Sequence, residues 1–481
     1  MKKGLILAAL SSALAADPCN GVYSTQAACD AVAACTWCKS AAVPSACNTL
    51  ANAGRLPPGV FACDPKAEWV EVARQQPANG DWVAGEALGA AGGEGSDPKH
   101  ELMFVIPQHN LDVLQKVHSE VSDPTHSKYG KYLTFKEVGD LVRNEESMDA
   151  VRAWLETAGV KACRATEHLE YLRCTAPTST WNTVLKAKFR AYRGSTLTAA
   201  TTVRAPAVHV PSSVREHLVG ILLASELPPL RTRQPSAQPM VRAEAGYCDS
   251  HPCATPALLN KVYNFTTNSG GGHGSQSVFE TDKQTMSPAD LAAFQKKYTT
   301  MAKPQPIAAD IGGNVDDNTC KYLTYDCGEA SLDIQYIIAQ AQDVPTTYWA
   351  CNQCTFAEWI ANVADTASPP LVHSISYGQD EFQTGVTEMD AFSTEAMKLG
   401  VKGITVLASS GDDGVAGPKA RTSSGLCAYN PQWPASCPYV TTVGATQGPE
   451  EGGKPEVVCA ATNNNTFITT GESSCAVSPL H

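Results

Sequence analysis

The chain lacks both a long apolar run and an excess of basic residues. After its first sixteen residues, no stretch of about 18 apolar residues occurs that could cross a bilayer as a helix. Lys and Arg total 36 against 48 Asp and Glu, which gives a net charge of −12. A negative protein does not suit the phosphate backbone of nucleic acids or an anionic membrane surface. The sequence therefore predicts neither a membrane span nor nucleic-acid binding.

The composition also excludes wholesale disorder. Apolar residues make up 43% of the chain and charged residues 17%, which is close to ordinary globular usage. No internal repeat is visible. At roughly 150 residues per domain, a chain of 481 residues corresponds to about three domains, with a sizeable core in at least one.

The N-terminus has the layout of a secretory signal peptide. In residues 1–16, two lysines precede an apolar run and a string of small residues, with an A-x-A cleavage motif from Ala13 to Ala15. Two glycosylation sequons, at Asn264 and Asn464, fit a secreted chain. We therefore expect entry into the secretory pathway.

The 18 cysteines of a secreted chain predict disulfides. Six of them crowd into residues 17–64, which predicts a small disulfide-stapled module. Two C-x-x-C pairs, Cys35–Cys38 and Cys351–Cys354, also suit a zinc or redox site, but no histidine converges on them and plain disulfides are favoured. The other close neighbours suggest local bridges, although proximity does not prove connectivity: Cys163 with Cys174, Cys248 with Cys253, Cys320 with Cys327, Cys427 with Cys437, and Cys459 with Cys475.

Composition and periodicity divide the rest of the chain. Residues 65–97 are rich in Gly, Ala and Glu and are predicted to be a linker. Residues 98–228 alternate apolar strands with amphipathic helices, which predicts an α+β domain. Residues 229–246 contain three arginines and no periodicity, which predicts an exposed, cleavable linker.

Local signals place several helix starts. Thr134 and Glu137 form a capping box. Ser147 is expected to open the next helix of the α+β domain. In the second half of the chain, Thr255 and Ser287 are each followed by proline and are predicted N-caps.

Residues 247–481 alternate apolar strands with helical patterns. This alternation predicts an α/β domain with a parallel sheet. The predicted strands are Ser277–Glu280, Leu371–Ser376, Ile404–Ala408 and Tyr439–Val443.

Two carboxylates stand four residues apart in a helical pattern, so Glu329 and Asp333 share one helix face. Alone, such a pair is most often part of a solvated face. Because the residues that follow are apolar, the pair also suits a partly buried site in which one carboxylate acts as a base and the other as a supporting acid. Both interpretations stay open on these residues alone.

Two further segments come at the ends of predicted strands. Asp412 lies in an acidic Gly-rich turn after a buried strand, where open α/β sheets build sites, although a simple loop or a calcium ligand is the plainer explanation. Ser376, Tyr377 and Gly378 end another strand, whose backbone is suited to lie beside an extended peptide. His373 within that strand is expected to be a packed core residue rather than a base.

Taken in order, these motifs resemble the sedolisin family of serine-carboxyl peptidases, closest to its tripeptidyl-peptidase branch. The resemblance runs from about Lys99 to Thr446, so the module at residues 17–64 lies outside it. The Cys163–Cys174 pair also resembles a propeptide disulfide of that branch. The matching segments are Thr255–Asn264, Glu329–Tyr336, Val372–Gly378, Ala408–Gly414 and Pro438–Thr446.

The resemblance implies a subtilisin-like α/β catalytic domain in residues 247–481. It implies that residues 98–228 are a ferredoxin-like propeptide domain, which acts as an intramolecular inhibitor. A peptide or protein substrate would pair with the backbone of Ser376, Tyr377 and Gly378.

By match to the family motifs, Glu329 would be the general base and Asp333 its orienting partner. Asp412 would be the protonated acid that donates to the oxyanion of the tetrahedral intermediate. A carboxylate base and a protonated Asp both require an acidic working pH. A lysosome, a vacuole or an acidic exterior would suit such an enzyme.

The chain departs from the family pattern after Asp412. The family places its nucleophile in a Ser-Gly-Thr-Ser-Ala segment and a calcium site further downstream, and no residues here spell either. The sequence therefore assigns no nucleophile, metal ligand or cofactor, although calcium is expected in a full-length family member.

Two explanations of this departure stay open. In the first, the chain is an incomplete version of an active peptidase, and we expect the gene to encode the serine and calcium segments further on. In the second, it is a homologue without peptidase activity, whose propeptide domain binds or inhibits active relatives. Carbohydrate or partner binding by the module at residues 17–64 has only its disulfide density and Trp37 in support.

Overall fold

A computed structural model describes most of the chain outside its ends. Among these residues, no helix combines the length and the hydropathy of a membrane span. The predicted signal peptide (residues 1–16) and cleavable linker (residues 229–246) lie outside the described residues. The described ranges are 19–30, 32, 35–40, 43–53, 56–57, 60–63, 69–75, 82–89, 97–194, 201–228, 254–270, 273–352, 354–411, 430–450, 453–458, 460–463 and 466–470.

Helices and strands alternate along the described residues. The α-helices are α1 Gln26–Asp30, α2 Leu50–Ala53, α3 Leu111–Ser122, α4 Phe135–Val142, α5 Glu145–Thr157, α6 Thr178–Val184, α7 Pro256–Val262, α8 Pro288–Tyr298, α9 Asp317–Tyr322, α10 Gly328–Gln340, α11 Phe356–Ala364 and α12 Val386–Val401. The strands are β1 Cys35–Ser40, β2 Ala46–Thr49, β3 Phe61–Cys63, β4 Trp69–Arg74, β5 Trp82–Ala87, β6 Lys99–Val105, β7 Cys163–Ala165, β8 Tyr171–Pro177, β9 Arg190–Gly194, β10 Thr201–Arg204, β11 Ala207–Pro211, β12 Gly220–Leu222, β13 Gln276–Glu280, β14 Ala309–Ile311, β15 Thr346–Ala350, β16 Val372–Ile375, β17 Gln379–Asp380, β18 Thr405–Ser409, β19 Gln432–Trp433, β20 Thr441–Val443, β21 Thr446–Gln447, β22 Val457–Val458, β23 Ala460–Asn463 and β24 Thr466–Thr470.

The cysteine-dense module forms a small sheet in the order β2-β1-β3. Three disulfides hold it together: Cys19–Cys35, Cys29–Cys47 and Cys38–Cys63. The two cysteines of the first C-x-x-C motif therefore pair with other partners and not with each other. Buried cystines replace much of the apolar core that so short a segment cannot build.

Three of the predicted local disulfides are confirmed: Cys163–Cys174 between β7 and β8, Cys320–Cys327 before α10, and Cys351–Cys354 after β15. Cys437 is a buried free thiol, which does not support its predicted bridge to Cys427, a residue outside the described part. The predicted pairs Cys248–Cys253 and Cys459–Cys475 also lie outside it.

Residues 97–228 contain a four-stranded sheet in the order β12-β6-β8-β7, in which all neighbours are antiparallel. The capping box is confirmed, because Thr134 Oγ1 accepts the N–H of Glu137 at 3.2 Å and the Glu137 carboxylate accepts the N–H of Thr134 at 2.8 Å. The start of α5 differs from its prediction. The side chain of Asn144 is the cap, accepting the N–H of Ser147 at 3.0 Å, so Ser147 lies inside the first turn.

The predicted linker at residues 65–97 requires a correction, because it contains two strands. β4 pairs with β11 and β5 pairs with β9, both antiparallel. Trp82 of β5 is buried, and its indole N–H donates to the carbonyl of Pro228 at 3.0 Å. These strands extend the α+β domain upstream of residue 98. Their partners lie more than a hundred residues further along the chain, so local composition gave no sign of the pairing.

Six parallel strands form the central sheet of the second domain, in the order β14-β15-β13-β16-β18-β20. The predicted α/β parallel sheet is confirmed. Neighbouring residues of β13 face opposite sides, since Val278 packs with Ala330 and Ile334 of α10, whereas Phe279 packs with Phe356 of α11. Helices therefore cover both faces of the sheet.

Helices α11 and α12 lie between the two sheets. Trp359 of α11 is fully buried, with its ring centroid 5.0 Å from that of Phe279 and 5.7 Å from that of His373. One turn further along α11, Asn362 accepts a hydrogen bond through its amide oxygen from Arg173 of β8 at 2.7 Å. One apolar core thus runs from the antiparallel sheet through both helices to the parallel sheet.

The central position of Trp359 predicts a large effect of its removal. We expect Trp359→Ala to lower the free energy of unfolding by about 3–5 kcal/mol, because it leaves a cavity that the neighbouring rings of Phe279 and His373 cannot fill. Chemical denaturation followed by circular dichroism measures the change. Leu332→Ala is the control, since that side chain is 53% exposed and should change stability by less than about 0.5 kcal/mol. A loss below about 1 kcal/mol for Trp359→Ala would contradict the shared core.

Candidate active site

The carboxyl ends of the parallel strands meet at one edge of the six-stranded sheet, which is where open α/β sheets hold their ligands. Glu280 is the last residue of β13, Ser376 follows β16, and Ser410 follows β18. Two of the three sequence-predicted segments therefore come together at this edge through the sheet order itself.

Helix α10 carries the two predicted catalytic carboxylates in its first two turns. The side-chain oxygen of Gln284 accepts the backbone N–H of Glu329 at 3.1 Å and that of Ala330 at 3.4 Å. Gln284 thus pairs two N–H groups that the first turn of a helix leaves without an internal partner. Glu329 and Asp333 are both half-buried and lie one turn apart on the same face.

Tyr377 connects these carboxylates to the sheet. Its side chain is buried, and its hydroxyl donates to Glu280 Oε2 at 2.7 Å. Burial raises the pKa of Tyr377 well above its usual value, and the negative charges of Glu280, Glu329 and Asp333 raise it further. All three carboxylates therefore act on one phenol, which stays protonated. The predicted pair lies within electrostatic reach of the predicted substrate strand.

A second buried tyrosine, Tyr348, also lies within electrostatic reach of Asp333. The hydroxyl of Tyr348, on β15, donates to the backbone carbonyl of Gln284 at 2.8 Å. Burial raises the pKa of Tyr348, and the charges of Glu280, Asp310 and Asp333 add to the increase. A carboxylate can accept a proton and a carboxyl group can donate one, so general acid–base catalysis is the chemistry that these side chains are suited to.

The predicted substrate strand offers backbone rather than side chains. Ser376 is half-buried, the Tyr377 side chain points into the protein, and Gly378 is exposed. A Cβ atom at Gly378 would lie 3.2 Å from the carbonyl oxygen of Trp433, so a larger residue would crowd the neighbouring segment. The role of these three residues in binding a peptide stays a prediction.

His373 is a packed strand residue, as expected. It is fully buried, with Nδ1 2.6 Å from the hydroxyl of Ser277. Burial lowers the pKa of His373 to about 4, so the ring is neutral at neutral pH.

Asp412 lies outside the described residues, and its role as oxyanion donor stays a prediction. The described chain ends at Gly411 on this side, directly after β18. Ser410 anchors the start of the turn, since its N–H donates to the carbonyl of Val443 at 3.0 Å.

Glu280 is the polar residue of this edge that sequence reasoning missed. It ends the apolar strand β13 and is fully buried. Its only signal in the sequence is a carboxylate that directly continues a buried strand. Gln284, which holds the first turn of α10, gave no signal at all.

Within the described part of the chain, one group of sulfur atoms lies close enough to suggest a metal site: Cys19, Cys35 and Cys47. All three are in disulfides, so they offer no thiolate to an ion.

Residues 94–226 match the family model described as Pro-kumamolisin, activation domain. Tripeptidyl-peptidase 1 of Homo sapiens is 30% identical over 364 residues, which cover 73% of this chain and 62% of the relative. The Bos taurus protein of the same name is 29% identical over 363 residues, with the same coverage. The chain thus spans about three-fifths of the length of these curated relatives.

One solved structure similar to this chain is Pseudomonas sedolisin, a serine-carboxyl proteinase complexed with two molecules of pseudo-iodotyrostatin. It aligns with a TM-score of 0.35 and 20% sequence identity, over 45% of this chain and 61% of that chain.

The bond between Tyr377 and Glu280 predicts a measurable coupling. We expect Tyr377→Phe to lower the free energy of unfolding by about 1–3 kcal/mol, because a buried carboxylate loses a hydrogen-bond donor while the ring is kept. In a double-mutant cycle with Glu280→Gln, the two changes should be non-additive by at least about 0.5 kcal/mol. The exposed Tyr322, replaced in the same way, serves as the control. Additive effects would show that the bond contributes nothing.

Proposed function

Because this chain belongs to the sedolisin family, with tripeptidyl-peptidase 1 among its relatives, we propose that it is the precursor of an acid-acting serine-type peptidase. The observation that carries the proposal is the cluster at the edge of the parallel sheet. There, Glu329 and Asp333 lie one turn apart on α10, and both act on Tyr377 of the substrate strand. The match of residues 94–226 to an activation domain supports the assignment as a precursor.

In the proposed reaction, Glu329 accepts the proton of a serine hydroxyl as the serine oxygen attacks the carbonyl carbon of the peptide bond. Glu329 then returns the proton to the leaving amine. Asp333 orients Glu329 from one turn further along the helix. Asp412 donates to the oxyanion while it is protonated, which requires an acidic medium. The serine is not assigned to a residue of this chain.

Two features of the fold support a ferredoxin-like propeptide domain followed by a subtilisin-like catalytic domain. Strand β6, helices α3–α5, strands β7 and β8, helix α6 and strand β12 follow the β-α-β-β-α-β succession of a ferredoxin-like domain, with β9–β11 inserted before the last strand. The parallel sheet with helices on both faces supports a subtilisin-like catalytic domain. In this proposal the first domain is the intramolecular inhibitor of the second.

The proposed substrate is an extended peptide, and the proposed compartment belongs to the secretory pathway. The exposed backbone at Gly378 supports pairing with a peptide strand. Six disulfides in the described residues support an oxidising compartment, with acidic delivery to a lysosome, a vacuole or the exterior.

The proposed base gives the direct test of the proposed function. In the protein expressed from its complete coding sequence, we expect Glu329→Gln to lower kcat for peptide hydrolysis at acidic pH by about 100-fold to 10,000-fold, with little change in KM. Steady-state kinetics with an unstructured peptide measure both constants. Asp290→Asn, an exposed change on the neighbouring helix α8, should leave both within about twofold. Equal activity of wild type and Glu329→Gln would overturn the assignment.

The sequon at Asn264 tests the proposed compartment. Asn264, Phe265 and Thr266 are all exposed just after α7, so the site is open to modification. We expect mass spectrometry of the secreted protein to find an N-linked glycan on Asn264. Thr266→Ala should abolish it, whereas Thr267→Ala, next to the sequon, should not. An unmodified Asn264 in protein from the native source would count against the secretory route.

A further inference from the structure

The backbone turns sharply after Glu280, the last residue of β13. Asp282 and Lys283 follow each other with φ angles of 51° and 59°, in the left-handed region that residues other than glycine rarely adopt. Such backbone persists only where the surrounding structure imposes it, and it is concentrated at functional sites. We call residues 281–284 the strained turn. It ends at Gln284, whose side chain is buried.

The residues that follow β15 hold the first part of the strained turn. The N–H of Cys351 donates to the carbonyl of Glu280 at 2.7 Å, and Thr281 Oγ1 donates to the carbonyl of Cys351 at 3.0 Å. One residue further on, Asn352 Oδ1 accepts the N–H of Lys283 at 2.8 Å. These three bonds fix the backbone on both sides of the left-handed pair.

The carbonyl of Gln284 is fixed by two donors. The hydroxyl of Tyr348 donates to it at 2.8 Å, and Asn314 Nδ2 donates to it at 2.9 Å. Asn314 is itself paired with Asn352, since each side-chain amide donates to the oxygen of the other, at 3.1 Å and 2.9 Å. Asn352 therefore connects both ends of the strained turn, and the backbone of Gln284 has little freedom to move.

The side chain of Gln284 reaches from the strained turn to the start of α10. Its oxygen accepts the N–H groups of Glu329 and Ala330, at 3.1 Å and 3.4 Å. Cys327 occupies the N-cap position of this helix and is in a disulfide, so it offers no side-chain oxygen to the first turn. Gln284 supplies that oxygen from another element, and one of the two N–H groups belongs to the proposed base itself.

We propose that Gln284 is a positioning residue for Glu329, which it holds in place through the strained turn and Asn352. The inference rests on the proposed function, because it takes Glu329 as the general base. A base must lie within hydrogen-bond reach of the proton that it accepts, and a displacement of about 1 Å can cost about 100-fold in rate. Gln284 acts through Glu329, so its loss should lower kcat and leave KM nearly unchanged.

Gln295 of α8 provides a matched control for a purely structural role. Gln295 and Gln284 are each 1% exposed. Gln295 Oε1 accepts the N–H of Gln305 at 2.7 Å, and its Nε2 donates to the carbonyl of Gln305 at 2.9 Å. Gln295→Met and Gln284→Met therefore both remove buried bonds to the backbone, but the bonds of Gln295 do not reach α10.

Steady-state kinetics of the protein expressed from its complete coding sequence test the positioning role. We expect Gln284→Met to lower kcat for peptide hydrolysis by about 10-fold to 100-fold, with KM within about threefold of the wild type. Gln295→Met should lower the stability of the domain but leave kcat within about threefold. The proposal is overturned if Gln284→Met keeps kcat within about threefold, or if Gln295→Met lowers kcat by the same factor.

Asn352→Ala provides the test if Gln284→Met does not fold. Asn352 is exposed, so this change removes the bonds to Lys283 and Asn314 without opening a cavity in the core. We expect kcat to fall by about threefold to tenfold, because the strained turn loses part of its support. Asn318→Ala, an exposed change on α9, should leave kcat within about twofold. An unchanged kcat for Asn352→Ala would then contradict the proposal.

A second readout does not depend on peptide hydrolysis. Hydrogen exchange resolved to single amides should be at least about tenfold faster at Glu329 and Ala330 in Gln284→Met than in the wild type. The N–H of Ile338, further along α10, should keep its protection. Unchanged exchange at Glu329 and Ala330 would overturn the positioning role. A chain without peptidase activity would refute the proposed function instead, and the exchange rates would then decide whether Gln284 holds the start of α10.

Discussion

Helices α11 and α12 are covered on two sides, by the antiparallel sheet of the first domain and by the parallel sheet of the second. Seven of the nine residues of α11 are buried. A polar side chain in such a layer must be paired or neutral, because water cannot solvate it. Lys398 is paired, whereas burial raises the pKa of Glu388 on the same helix to about 8, so that carboxyl is neutral in acid. The two domains therefore dock across a layer in which each ionisable side chain must be paired or neutral.

The same layer separates the contact between the two domains from the candidate site. Glu395 and Lys398 lie on α12, on one side of the parallel sheet, whereas Glu329 and Asp333 lie on α10, which packs on the other face. Tyr377 contacts both the shared apolar core and the carboxylates of the candidate site. Its ring centroid lies 5.6 Å from that of Phe279 in the shared core. Its hydroxyl donates a hydrogen bond to Glu280, and the charges of Glu329 and Asp333 on α10 raise its pKa.

Local signals predicted local structure well. The capping box at Thr134 and the N-cap at Ser287 needed only a few neighbouring residues, and the alternation of strands with helices sufficed for the parallel sheet. The two strands within residues 65–97 escaped prediction for the opposite reason. β4 and β5 are held by β11 and β9, and a Gly- and Ala-rich composition shows nothing of such distant partners.

In the candidate site too, pairs of residues that are close in the sequence could be predicted, whereas distant pairs could not. Glu329 and Asp333 could be paired from their spacing, because four residues along one helix fix which side chains share a face. Glu280 and Tyr377 are 97 residues apart, and Glu170 and Lys398 are 228 apart. In the sequence, Lys398 is an ordinary helix lysine, the kind of residue that usually covers a solvated face. Only the packing of the first domain on α12 turns it into a buried charge. A spacing rule therefore finds carboxylates that act together within one element, whereas the groups that join elements acquire their chemistry from the fold.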